Sequence, residues 1–367
     1  MRVKILGSAA GGGFPQWNCA CPNCRAQRSG TFAGKARTQA QVAISADSRT
    51  WFLLGASPDL RAQIEATPEL HPHGSRPTEE KTGPSFGVAQ DVARNRIRKI
   101  EAKALRNLGG RSRSADLPPH REGTEKHESN RDYLRQSPIA GAVLANADID
   151  HVLGLLLLRE LQPLRVYATD SIRRILTEDN SMFAMLQRVP RQVTWSTFAP
   201  GTVFPLENPA GEDSGLRCRA LSLGTHYPAY VAPRRQNELT FGEASLGLIV
   251  ESPAGKRLAY MPSVPQINDS LLKELDSADV LLFDGTFWTD DELIRMQGSG
   301  QTARQMGHVP VSSAEGSLNK LAGLRRPRKI FIHINNTNPM LNESGPEYRQ
   351  VRDSGSEIAE DGCQFDL

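Results

Sequence analysis

Two places where the chain pairs back on itself constrain its fold more than any other feature. Gln41 to Ser45 and Thr50 to Leu54 are short apolar or alternating runs set either side of a turn. Ser245 to Val250 and Arg257 to Tyr260 flank Pro253-Ala254-Gly255, a strong turn signal. Both pairs predict β-hairpins. Antiparallel pairs toward both ends of a chain argue against a doubly wound parallel sheet. With helices interspersed they predict an α/β sandwich.

The remaining apolar runs fit that plan. Arg2 to Leu6, Ile139 to Leu144, Arg165 to Ala168, Val193 to Phe198, Val280 to Phe283 and Lys329 to Ile334 read as further strands. Helical spacing appears over Pro58 to Leu70, with Leu60, Ile64 and Leu70 on one face. Helices are also predicted over about Ile149 to Leu161, Ser270 to Leu275 and Ser312 to Leu321. No internal repeat is visible.

Between Pro72 and Arg131 the texture changes to Arg, Lys, Glu, Ser, Gly and Pro with few large apolar residues. Such a segment cannot bury enough surface to offset roughly 1–2 kcal/mol per residue of backbone ordering. Residues 72–131 therefore read as a low-complexity, disordered insertion, with a basic helix over Val88 to Leu108 or a partner-binding arm as the alternatives. Residues 1–71 and 132–367 form the single expected domain, although 367 residues could hold two.

Charge and hydropathy exclude several functions. With 44 basic and 41 acidic residues the net charge is +3, without the concentrated positive field of a nucleic-acid binder. The longest apolar run, Val152 to Leu158, falls far short of the roughly 20 residues needed to span a bilayer. Gly7 and Gly11 to Gly13 break the N-terminal run too early for a secretory signal, so a cytoplasmic location is expected.

Three of the five cysteines fall in Cys19-Ala20-Cys21-Pro22-Asn23-Cys24. Clustered thiols in a cysteine-poor, reduced chain suggest a metal more than a disulfide. Three thiolates can converge on one tetrahedral Zn²⁺ with a fourth ligand from elsewhere, which describes a structural site.

A second cluster, Asn146-Ala147-Asp148-Ile149-Asp150-His151, sits where a strand meets a helix. Asp148 and Asp150 could ligate an ion beside His151, or one of them could simply cap the helix. His333-Ile334-Asn335-Asn336-Thr337-Asn338-Pro339 closes the last long apolar strand, where a site residue or an ordinary Asn-rich turn would both fit. Asp284, at the end of another strand, and His308 and His226, in loops, are unremarkable alone.

Taken in order, these segments resemble the PqqB family of pyrroloquinoline quinone (PQQ) biosynthesis. The resemblance runs through the opening Val3-Lys4-Ile5-Leu6-Gly7-Ser8-Ala9-Ala10-Gly11-Gly12-Gly13-Phe14-Pro15-Gln16-Trp17-Asn18-Cys19. It continues in Ala56-Ser57-Pro58-Asp59-Leu60-Arg61, Leu282-Phe283-Asp284-Gly285-Thr286 and the His333 to Pro339 run.

The resemblance implies an αββα sandwich of the metallo-β-lactamase type, whose usual metal motif is His-x-His-x-Asp-His. The matching positions are Asn146, Asp148, Asp150 and His151, so the first two histidines are absent. Tyr260-Met261-Pro262-Ser263 stands where the bridging aspartate is expected. His151, His333 and Asp150 or Asp148 remain, a ligand set suited to Fe²⁺ and O₂ rather than to a two-zinc hydrolase.

The family link further implies O₂-dependent hydroxylation of the tyrosine ring in a small peptide-derived, Glu–Tyr cross-linked precursor. Asp284 and His308 would then support the ligands or handle protons. Related phosphodiesterases place a fourth zinc ligand where Asn336 stands; here Asn336, water or His333 could complete the Cys19, Cys21 and Cys24 site. Other PQQ biosynthesis proteins are expected partners. A carrier or transport factor for the cofactor or its precursor is the alternative reading, and a metal-dependent hydrolase the weakest.

Overall fold

The structure, a computed structural model, describes residues 1–72, 136–160, 162–224 and 226–367. Nearly all of the expected insertion, with its Val88 to Leu108 helix, lies outside the described residues. Met1–Pro72 and Ser137–Leu367 form one compact unit.

The early strands are β1 (Arg2–Gly7), β2 (Gln41–Ser45), β3 (Trp51–Leu54), β4 (Ile139–Val143), β5 (Leu164–Ala168) and β6 (Val193–Thr197). The later strands are β7 (Val203–Glu207), β8 (Asp213–Gly224), β9 (Ser245–Glu251), β10 (Arg257–Met261), β11 (Val280–Asp284), β12 (Arg328–Ile332), β13 (Ser356–Ile358) and β14 (Gln364–Asp366). One sheet has the order β14-β1-β2-β3-β4-β5-β6 and the other β13-β12-β11-β10-β9-β8-β7. Both expected hairpins are present as antiparallel pairs, β2 with β3 and β9 with β10.

Pairing direction reveals a repeat that residue identities hide. From β14 inward, the first sheet has three antiparallel and then three parallel pairings. From β7 inward, the second sheet has the same sequence of pairings. Strand β4 thus corresponds to β11, and β5 to β12.

Alternating side chains explain why the second sheet is covered on both faces. Leu248, Val250, Leu258, Tyr260, Leu282, Ile330 and Ile332 join the core shared with the first sheet. Their neighbours Ile249, Ala259, Met261, Leu281, Phe283 and Phe331 pack into a second cluster with Leu271, Leu275 and Leu318 from flanking helices. Strands buried on both faces read as continuous apolar runs.

Local departures have identifiable causes. The predicted Ile149 to Leu161 helix is α-helical only over Ile149–Val152 and becomes 3₁₀ over Leu153–Arg159. The Gly154 N–H donates to the Ala56 carbonyl at 2.8 Å instead of continuing the helical ladder. A Cβ at Gly154 would stand 2.3 Å from the Ser57 carbonyl oxygen, so the two backbones approach too closely for a regular helix.

The predicted Ser312 to Leu321 helix shortens to Ser317–Lys320, because the Ser317 and Leu318 N–H groups bond the Pro310 and Val311 carbonyls at 2.9 and 3.1 Å instead of carbonyls four residues back. Over Pro58 to Leu70, the helix Leu60–Glu65 gives way to a 3₁₀ turn beginning at Pro68. No described helix is long and apolar enough to cross a membrane.

Candidate metal centre and thiol cluster

Parallel strands deliver their following residues to one rim of the sandwich. Beyond β4 the chain turns through Asn146 into the short Ile149–Val152 helix. Asp148 occupies its N-cap position but makes no capping hydrogen bond through its side chain. Capping therefore does not account for that carboxylate. From the other sheet, β11 ends in Asp284, and β12 is followed at once by His333. The His333 backbone has φ 60°, a left-handed conformation that typically costs a non-glycine residue about 1–3 kcal/mol.

The two sheets together build a cleft of about 530 Å³ whose lining includes Asp148, Asp150, His151, His308 and His333. Ligand atoms of Asp150, His151 and His333 all lie within 4.8 Å of one another. Asp150 Oδ2 is 3.2 Å from His333 Nε2 and 3.6 Å from His151 Nε2. Donors bound about 2.1 Å from one ion, at octahedral or tetrahedral angles, stand roughly 3.0–3.4 Å apart. Two of the trio's separations are thus close to those of donors around a single cation, and the third is no more than 4.8 Å. Asp148 lines the same cleft but lies outside this trio.

Electrostatics favour protonation states in which these groups could bind a cation. Burial pushes His151 down to about 4, so its imidazole is neutral. Burial opposes ionisation of Asp150, but His151 and His333 overcome it and hold the carboxyl far below its ordinary range. Burial, reinforced by the Asp150 charge, raises Asp148 to about 7. Two neighbouring carboxylates are thereby driven apart, one kept ionised and the other able to keep a proton near neutral pH.

Behind the trio lies a buried polar network. Asp284 has no exposed surface, and its Oδ2 is 2.8 Å from His308 Nδ1. Burial works against both charges, yet the pair raises the His308 imidazole and lowers the Asp284 carboxyl. Ligand atoms of Asp284, His308 and His333 also gather within 4.8 Å. There Thr286 Oγ1 stands 2.6 Å from Asp284 Oδ1, 3.1 Å from His308 Nδ1 and 2.8 Å from His333 Nδ1. A hydroxyl thus takes the place an ion would need. Reasoning from the sequence overlooked Thr286, although it lies two residues past Asp284 at the end of an apolar strand. His226, unremarkable in sequence, also lines the cleft.

The cysteines form a separate site. Cys24 is buried in the Pro22–Arg28 helix, with Cys19 and Cys21 in the preceding loop, and the three Sγ atoms fall within 4.8 Å of one another. Backbone N–H groups of Cys21, Cys24 and Gln16 each approach a sulfur at 3.4 Å. Burial holds the Cys21 thiol up at about 11, whereas hydrogen bonds led by the Cys21 backbone bring Cys19 down against its own burial. Asn336 Nδ2 lies 3.2, 3.6 and 3.3 Å from the sulfurs of Cys19, Cys21 and Cys24. His333 faces Asp150 instead. Rotating the Asn336 amide would bring its carbonyl oxygen to the fourth corner. Three soft donors and one amide suit a closed zinc site.

Comparison with known proteins agrees with this architecture. A family model described as a beta-lactamase superfamily domain matches residues 119–334. The coenzyme PQQ synthesis protein B of Nitrosococcus oceani is 37% identical, over 100% of both chains. That of Pseudomonas entomophila is 36% identical, again over 100% of both. Among solved structures, the Zn(2+)-bound PqqB from Methylobacterium extorquens is 34% identical, with a TM-score of 0.76 and 100% of both chains covered. A diphosphatase of the PhnP family, 16% identical with a TM-score of 0.55 over 100% of this chain and 97% of its own, shares the fold. On full-length relatives at this identity, the chain belongs to the coenzyme PQQ synthesis protein B family.

Proposed function

We propose that the protein serves pyrroloquinoline quinone biosynthesis as a metal-dependent enzyme that hydroxylates, with O₂, the tyrosine ring of a Glu–Tyr cross-linked precursor. One observation carries the reading. A single carboxylate, Asp150, and two imidazoles, His151 and His333, converge at distances suited to one ion. Asn146 and Asp148 stand where a dinuclear hydrolase would need further histidines. Two His and one carboxylate with open positions is the set used by non-haem Fe(II) oxygenases. Bound there, Fe²⁺ would supply the activation of O₂ for ring hydroxylation, in which one oxygen atom enters the ring and the other leaves as water with two electrons from an added reductant.

The chain's own groups complete the work. Neutral His151 and ionised Asp150 need no proton removed before binding a cation. Asp148 holds a proton at its carboxyl beside the trio, and His308, braced by Asp284, holds one at Nδ1. Cys19, Cys21 and Cys24, with Asn336, bind a structural Zn²⁺ in this reading, which the zinc-bound relative supports. Other proteins of the pathway supply the precursor and take the product.

Anaerobic reconstitution with Fe(II), metal analysis and O₂ uptake with and without the cross-linked precursor test the proposal. Iron-dependent, substrate-dependent uptake with one zinc per chain is expected. Full iron content and turnover in both His151→Ala and His333→Ala would reject the ligand assignment. Tight precursor binding without O₂ uptake would point to a carrier.

A further inference from the structure

We propose that Thr286 is a positioning residue that fixes the tautomer of His333, accepting a hydrogen bond from its Nδ1 and turning the Nε2 lone pair toward Asp150 and His151. The benefit to metal binding rests on the reading of Asp150, His151 and His333 as one metal site; the tautomer itself does not.

The argument follows the protons around Asp284. This carboxylate is fully buried and accepts from Thr286 N at 3.0 Å and Thr286 Oγ1 at 2.6 Å on one oxygen. Its other oxygen accepts from Val264 N and His308 Nδ1, each at 2.8 Å. A hydroxyl has one proton. At Thr286 it goes to the ionised carboxylate, because charge-assisted bonds are the shorter and stronger ones.

At its 2.8 Å contact with His333 Nδ1, Thr286 has no proton left to give and can only accept. The proton in that contact therefore belongs to His333 Nδ1. Nε2, 3.2 Å from Asp150 Oδ2, presents its lone pair to a cation shared with that carboxylate. A buried hydroxyl on the opposite ring nitrogen thus orients the ligand, a role usually given to a carboxylate or a backbone carbonyl.

Thr286→Val keeps the shape but removes the acceptor, freeing His333 to carry its proton on Nε2 and donate to Asp150. Thr286→Ser keeps the hydroxyl. The test is ¹⁵N-histidine NMR of full-length protein, metal-free and Zn²⁺-loaded, alongside competition titration with Co²⁺ at the histidine site. A proton on His333 Nδ1 in the wild-type protein, retained in Thr286→Ser and lost in Thr286→Val, is expected. Co²⁺ affinity should fall by about 10- to 100-fold in the valine variant and recover with serine. An unprotonated His333 Nδ1 in the wild-type protein overturns the proposal without any variant. A tautomer change in Thr286→Val with undiminished Co²⁺ affinity leaves the tautomer assignment standing and rejects His333 as a ligand.

Discussion

Glu292 offers a direct measurement of what burial does to an acid in this fold. Its carboxyl is buried, accepts the Trp288 N–H at 2.6 Å and meets the Thr337 hydroxyl. Burial pushes it from an ordinary 4.5 up to about 7, and hydrogen bonds from Thr337, Trp288 and Thr289 offset only part of the cost.

Below pH 4.5 both folded and unfolded chains hold the proton, so the group does not alter stability. Between 4.5 and 7 the unfolded chain ionises while the folded one does not. Proton binding then favours the native state, and its stability falls as pH rises. Above 7 the loss is complete. The interval from 4.5 to about 7, at 1.36 kcal/mol per pH unit, makes it about 3 kcal/mol.

Glu292→Gln has the shape of the protonated acid and can bond Trp288 and Thr337 alike. The variant should match the wild-type protein at pH 4.5 and exceed it at pH 8 by a Tm difference on the order of 5 °C. Thermal unfolding of both proteins across that range cancels every other titrating group. Parallel curves, or a variant that is the less stable at pH 8, would refute the argument.

Three further outcomes follow from the geometry. Cys24→Ser should lose the tightly bound zinc, falling from about one to near zero per chain by metal analysis, because a serine hydroxyl does not replace a thiolate ligand. His151→Ala should lower Fe²⁺ affinity at least tenfold while leaving the zinc content unchanged, read by metal analysis after dialysis against a weak chelator. Gly7→Ala would set a Cβ 2.1 Å from the Gln39 carbonyl oxygen. It should destabilise the fold by about 3 kcal/mol or more, seen as a lower urea midpoint or loss of soluble protein.

Groups close in sequence were the legible ones. The three cysteines, and Asp150 with His151, lie within a few residues of each other, so their chemistry shows before any fold is known. His333 was readable because it ends an apolar run. What escaped was contact across the chain: Thr286 lies 22 residues from His308 and 47 from His333, and no local pattern signals that meeting.

Strand β8 escaped for another reason. Its buried Leu216, Cys218 and Ala220 alternate with Arg217 and Arg219, a period-two signal present in the sequence but masked by its short, mixed residues. The mismatched helix at Ile149 was invisible because its cause, the approach of Gly154 to Ala56 and Ser57, is tertiary.

The matched pairing of the two sheets carries a consequence for the cation. Asp150 and His151 follow β4 in one sheet and His333 follows β12 in the other, so two sheets with the same order of pairings give non-equivalent positions to one trio. An ion held by all three would be a rivet through the seam between the two sheets. A ligand that binds only the joined sheets stabilises them by about 2.7 kcal/mol at a hundredfold excess over its dissociation constant. Reciprocally, any substitution that lets the layers slide weakens the grip on the ion, even with every donor atom intact. Affinity for the metal is therefore a gauge of the alignment of the whole sandwich.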